Sequence, residues 1–334
     1  MSNSAVLTGL KQLEVSSQTT PEVALDEVII RVKNCGVCGT DLHIYHGYPG
    51  SAEVVPPRVL GHELAGEIVE VGEAVKDLQV GDRISVDPNI YCHTCEFCRK
   101  GLPNLCENLQ AIGVTRDGGM AEYCAVPAAN CYPIPDQMTF EEAALVEPLG
   151  CVLHGYKKLT IRPTDHILII GGGFIGQLFL QLVKQQGTAK ITVSEPMTDK
   201  HDKLKQLGAT DTISPDAVSD AAPADIVIEC VGRKDSVETA IQQAKKGGQV
   251  LLFGVASPEL KAEIAPFEIF SKELRIFGSF VNPYTHEDAI QLIANKQVQV
   301  EGLISHRLKL DEVPELLHDY ASFHVSKAVI NLEQ

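Results

Sequence analysis

Apolar positions in the first part of the chain come in short β-type runs: EVIIRV (27–32), AGEIVEVG (65–72), DRISVDP (82–88) and AEYCAVP (121–127), divided by Gly and Pro. Short strands with frequent turn signals predict an antiparallel, barrel-like β domain. From about residue 150 the rhythm changes. HILII (166–170) reads as a buried strand and GGGFIG (171–176) follows it. Phe174, Ile175, Leu178, Phe179, Leu182 and Val183 then recur at helical spacing. KITVSEP (190–196), DIVIECVG (225–232), QVLLFG (249–254) and LRIFGSF (274–280) predict further buried strands, with helical segments between several of them. That alternation predicts an α/β unit with a doubly wound parallel sheet. The tail from about residue 282 carries the amphipathic stretch HEDAIQLIANK and a last strand, KAVINL (327–332).

The length of 334 residues agrees with two domains. With 28 Lys and Arg against 44 Asp and Glu, the net charge is −16. That argues against nucleic acid and against anionic membranes as partners. The most apolar stretch, 166–183, is broken by four glycines and two glutamines, so no transmembrane helix is expected. MSNSAVLTGLKQLEV has neither a basic start nor a continuous apolar run, unlike a signal peptide. A cytoplasmic protein is the expectation. Ten cysteines in that setting point to metal or catalysis before disulfides.

Four of them, Cys92, Cys95, Cys98 and Cys106, form C-x2-C-x2-C-x7-C. Four thiolates close a tetrahedral zinc site with no open position, which makes such a site structural. An iron–sulfur cluster fits the same donor set. GVCGTDLH (36–43) and GHELAGEIVEVG (61–72) hold a second constellation, Cys38, Thr40, Asp41, His43, His62 and Glu63. A thiolate, an imidazole and a carboxylate suit zinc with a position left for substrate. Nothing in the spacing requires these two segments to meet.

Gly171, Gly173 and Gly176 make G-x-G-x-x-G after a buried strand and at the start of a helix, with Glu195 at 19 positions beyond Gly176. In that context the pattern is a dinucleotide fingerprint. The helix start at Phe174 and Ile175 offers free N–H groups to a pyrophosphate. A carboxylate at Glu195 accepts from ribose hydroxyls and repels a 2′-phosphate, which favours NAD over NADP. Lys200, His201 and Lys203 lie close enough in sequence to offset part of that repulsion.

Together, GHELAGEIVEVGEAV, GVCGTDLH, the four-cysteine segment and EPLGC (147–151) resemble the motifs of the zinc-dependent medium-chain dehydrogenase/reductase superfamily, in their family order. The Glu-Pro-Leu at 147–149 resembles its polyol (sorbitol-type) dehydrogenase branch. The resemblance implies a GroES-like β-barrel catalytic domain over 1–149, a Rossmann NAD-binding domain over 150–281, and a return of 282–334 to the catalytic domain. It implies that Cys38, His62 and Glu63 lie at or beside a catalytic zinc and that Glu147 ligates the metal or holds its water. Asp41 would orient His62. Thr40 and His43 would relay the proton. Val231 and Val255 would line the nicotinamide pocket, and Lys327 would reach the pyrophosphate. The implied reaction is hydride transfer between NAD and a secondary alcohol of a polyol, pentitol or hexitol, free or phosphorylated, giving a ketose. Ile44 and Ser279-Phe280 stand where sorbitol-oxidising members carry Tyr and Arg-Tyr, which points away from sorbitol itself. A threonine- or sugar-acid-type dehydrogenase is the enzyme alternative; a non-catalytic dinucleotide- and zinc-binding regulator is the alternative of another class. The resemblance also implies a homo-oligomer, tetramer or dimer, built by pairing of Rossmann edge strands.

Overall fold

The computed structural model describes residues 1–333. It divides into two compact units, Met1–Gly150 with Val281–Gln334, and Cys151–Phe280.

The first unit is built on a largely antiparallel seven-stranded sheet. Its strands run in the order Cys131–Pro133, Arg83–Val86, Glu63–Val71, Glu27–Val37, Ala328–Asn331, His306–Leu308, with Tyr123–Pro127 also pairing Glu27–Val37. Alternate positions of these strands, among them Val28, Ile30, Leu64, Ile68, Ile84 and Val126, fill one core. The long strand runs past the apolar EVIIRV to Val37, because Asn34–Val37 pair with Ala328–Asn331 from the far end of the chain. Two further strands, Ser2–Gly9 and Gln12–Gln18, are an antiparallel pair that the hydrophobic pattern did not announce. Register decides what meets at the end of the long strand. Gly36 lies opposite Glu63, and Val37 lies opposite Ala328.

The second unit carries six parallel strands in the order Asp211–Ile213, Lys190–Ser194, His166–Ile170, Ala224–Glu229, Ala244–Leu252, Arg275–Gly278. By chain position this is 3-2-1-4-5-6, the doubly wound order that places ligands at the carboxyl ends of the strands. Leu168, Ile170, Val227 and Val250 of the sheet pack with Ala240 and Ile241 of a covering helix. Asp211–Ile213 is three half-buried residues without an apolar run, so periodicity alone does not reveal it. Among the described residues no helix is long and apolar enough to cross a membrane.

Candidate metal centre and dinucleotide site

Cys38 follows the long strand and is the N-cap of the short helix Gly39–Tyr45. Its N–H donates to Asp41 Oδ2 at 2.8 Å, closing the first turn. Asp41 is fully buried, and its Oδ1 lies 3.5 Å from His62 Nδ1. With Nδ1 turned to the carboxylate, the other ring nitrogen is left for a ligand. Burial pushes His62 toward neutrality, but Asp41 and Cys38 outweigh it, and its pKa rises well above the usual histidine value. Glu63 enters from the neighbouring strand. A Cβ on Gly36 would overlap Glu63 Oε2, so a side chain there would displace the carboxylate. The ligand atoms of Cys38, His62 and Glu63 lie within 4.8 Å of one another. Glu63 Oε1 is buried and has no hydrogen-bond partner. A convergent thiol, imidazole and carboxylate, one oxygen of it unsatisfied, is a donor set that fits zinc.

Lys327 is 4% exposed, and its Nζ sits on Glu63 Oε2 and donates to the Val37 carbonyl at 3.1 Å. The resemblance places this residue at the pyrophosphate; in the structure its ammonium is the ion-pair partner of Glu63. The reason is physical: a buried carboxylate requires a counter-charge. Burial works to discharge the ammonium, but Glu63 and Cys38 hold its pKa above the usual lysine value. The neighbouring Tyr320 phenol is pushed up to about 12 by burial, against the pull of Lys327. Thr40 and His43 are half-buried on the helix that follows Cys38. Burial, then the nearby His46, lowers the His43 pKa. Glu147 is buried in the first turn of the helix Val146–Tyr156 and falls outside the three-ligand group.

Cys92, Cys95, Cys98 and Cys106 form the second convergent group. Backbone N–H groups already point at the sulfurs: Cys95 N donates to Cys92 Sγ, and Cys92 N and Asn108 N donate to Cys106 Sγ, each at 3.4 Å. The N–H of Thr94 heads the groups that draw the Cys92 thiol down to about 5, while burial and the adjacent thiols push Cys98 up to about 12. Four sulfurs so placed cannot all ionise without a cation among them, which fits a structural zinc. None of the ten cysteines is in a disulfide.

In the second unit Gly171 has φ +101°, a left-handed conformation that favours glycine. Gly176 packs against the Gly171 carbonyl, and Gly173 caps the helix Phe174–Lys184 with open space where a Cβ would stand. Phe174 is buried and Ile175 half-buried in the first turn. Glu195 is buried at the end of its strand. Its Oε2 accepts from Gly172 N at 3.1 Å and its Oε1 from Met197 N at 3.0 Å. Val231 and Val255 lie beyond the carboxyl ends of Ala224–Glu229 and Ala244–Leu252, 41% and 64% exposed. The turn bearing Val231 is tied down by Glu229, whose Oε1 accepts from Val231 N at 2.7 Å and Gly232 N at 2.9 Å. Glu229 and Tyr320 carry no motif and escape a reading of the sequence; only their burial beside site residues marks them.

Two family models match the chain: "Alcohol dehydrogenase GroES-like domain" over residues 24–136 and "Zinc-binding dehydrogenase" over 175–295. D-arabinitol dehydrogenase 1 of Uromyces fabae is 33% identical, over 96% of this chain and 94% of the relative. D-altritol 5-dehydrogenase of Agrobacterium fabrum is 35% identical, over 85% of this chain and 86% of the relative. A zinc-binding dehydrogenase of Sinorhizobium meliloti 1021, solved bound to NADP, is 38% identical, with a TM-score of 0.94 over 99% of each chain. With the GroES-like and Rossmann parts both matched and relatives aligned along nearly its whole length, the chain belongs to the zinc-dependent medium-chain dehydrogenase/reductase superfamily, in its polyol dehydrogenase branch.

Proposed function

We propose that this oxidoreductase moves a hydride between NAD and a secondary alcohol of a pentitol or hexitol, giving the ketose. The observation that carries the reading is the convergence of Cys38, His62 and Glu63. In this reading Cys38 and His62 hold the catalytic zinc, with Glu63 and Glu147 as carboxylates at or behind it. When bound, zinc supplies Lewis acidity that lowers the pKa of a coordinated hydroxyl, and the nicotinamide supplies the hydride acceptor.

The chain's own residues do the rest. Asp41 fixes the His62 tautomer. Lys327 balances Glu63, so the cluster does not carry an uncompensated buried charge. His43, held below the usual histidine pKa by burial and His46, is neutral near pH 7 and able to accept a proton passed along by Thr40, three residues earlier on the same helix face. Val231 and Val255 offer apolar surface to the nicotinamide ring. Loss of turnover in Thr40→Val supports the hydroxyl relay; full turnover excludes it.

Glu195 supports NAD. Its carboxylate is pinned by two backbone N–H groups and would meet a 2′-phosphate as a like charge. The polyol class is supported by the relatives that act on arabinitol and altritol. We also read the protein as a cytoplasmic homo-oligomer. Arg275–Gly278 is an edge strand of the parallel sheet with Ile276 exposed on it, a surface suited to pairing with a second copy. Light scattering showing only monomer excludes that assembly.

The direct test is NADH and NADPH formation by the purified protein on pentitols, hexitols, their phosphates, sugar acids and threonine, with and without a strong chelator. Chelator-sensitive NADH formation on polyols is the expected result. Turnover on threonine or sugar acids alone refutes the substrate class, and a preference for NADP refutes the Glu195 argument.

A further inference from the structure

The helix Phe174–Lys184 buries an apolar face, yet Gln177 and Gln181 are buried on it as well. Gln177 Nε2 donates to the Gly172 carbonyl at 3.0 Å. Gln181 Nε2 donates to the Gln177 carbonyl at 3.4 Å, and Gln185 Nε2 to the Gln181 carbonyl at 3.3 Å. The ladder thus climbs the helix toward the glycine turn and ends on it. From the other side, Gly172 N donates to Glu195 Oε2 at 3.1 Å. Both polar groups of one turn residue are therefore held by side chains from two different elements.

Gln177 bears a cost for this. Its Oε1 is buried with no hydrogen-bond partner, a penalty that an apolar residue at the same helical position would not carry. What the glutamine adds is the bond to Gly172. An anion bound at the start of this helix needs N–H groups turned toward it and carbonyls turned away. Gln177 draws the Gly172 carbonyl into the interior, and Glu195 fixes the same peptide unit's neighbour from the opposite side.

We propose that Gln177 is a positioning residue for the dinucleotide: it sets the Gly171–Gly176 turn in the pose that receives the pyrophosphate before any ligand arrives. This rests on the dinucleotide reading above. Pre-setting a loop raises affinity by removing the ordering cost from the binding step.

The test compares the full-length wild type with Gln177→Met, which keeps length and apolar volume but cannot donate. The ligands are NADH, ADP-ribose and adenosine, read by NADH fluorescence and by competition, with thermal unfolding in parallel. Losing one hydrogen bond from a preset loop is expected to weaken NADH and ADP-ribose by roughly five- to ten-fold. Adenosine, which lacks the pyrophosphate, should change less than about two-fold, since no bond to it is lost. Gln177→Leu likewise lacks a donor and adds no charge, and the same selective loss is expected.

Equal weakening of adenosine and ADP-ribose, unchanged ADP-ribose binding, or unfolding of both variants each overturns the positioning role. A wild type that binds neither NADH nor ADP-ribose overturns the dinucleotide reading itself, so the two failures are separable.

Discussion

The pair of Lys327 and Glu63 is a sharp place to perturb the first unit. The two side chains are 4% and 1% exposed, so each is the other's main source of charge compensation. Removing one partner of such a pair strands the other, at a typical cost of about 3–5 kcal/mol. Lys327→Met is therefore expected to destabilise the metal-free protein by that amount. In a unit of about 200 residues this lowers the melting temperature by roughly 6–20 °C. Glu63→Gln in the same background removes the stranded charge. The double variant should then lie within about 2 kcal/mol of wild type, giving a coupling energy of at least ~2 kcal/mol between sites in direct contact. Urea unfolding of wild type, both single variants and the double variant closes this cycle. The ammonium's hold on the Val37 carbonyl is lost in both Lys327 variants and cancels from the coupling term. A single Lys327→Met loss below about 1 kcal/mol, or additive single effects, would refute the charge-compensation argument.

Three further outcomes follow from particular residues. Gly36→Ala places a methyl group on Glu63 Oε2, so the variant loaded with zinc should hold less metal per chain than wild type loaded alike, the four-cysteine group being untouched; undiminished zinc and activity would refute the close-approach argument. Burial raises Asp87 from 3.8 to about 6, against hydrogen bonds from Asn89 and Asn282. A folded pKa above the unfolded one means that stability from this group is complete below about 3.8 and is lost as pH rises through about 6. Asp87→Asn should match wild type near pH 4 and exceed it by up to ~3 kcal/mol at pH 7, measured by urea unfolding across that range; a pH-independent difference counts against it. Val281, a β-branched residue at φ +49°, occupies left-handed backbone. Val281→Gly should stabilise by about 1 kcal/mol, the relief of that conformation less the entropy of glycine, and destabilisation in denaturant titration would contradict this.

Several features of this protein are legible in the chain alone because they arise from near neighbours. The alternation of HILII, a helical repeat and KITVS expresses local periodicity, and the parallel sheet follows from it. The four cysteines fall within fifteen residues of one another, so their convergence needs only a short loop. The glycines of 171–176 work within one turn, where spacing and geometry are nearly the same thing.

Other features depend on which distant segments pair, and periodicity does not encode that. Asp211–Ile213 becomes a strand because Lys190–Ser194 offers it an edge, not because its residues demand one. Gln177 and Gln181 read as interruptions of an apolar stretch; folding buries them, and one of them reaches the glycine turn. The metal cluster shows the division most plainly. Cys38, His62 and Glu63 are visible as ligand types, but they meet because Gly36 registers against Glu63. Lys327 joins them because Ala328 registers against Val37. A one-residue slip in either pairing would turn those side chains to the opposite face of the sheet. Residue chemistry and short-range spacing were thus determined by the sequence by itself. The company each charged group keeps was decided by strand register across hundreds of residues, which is a property of the folded sheet.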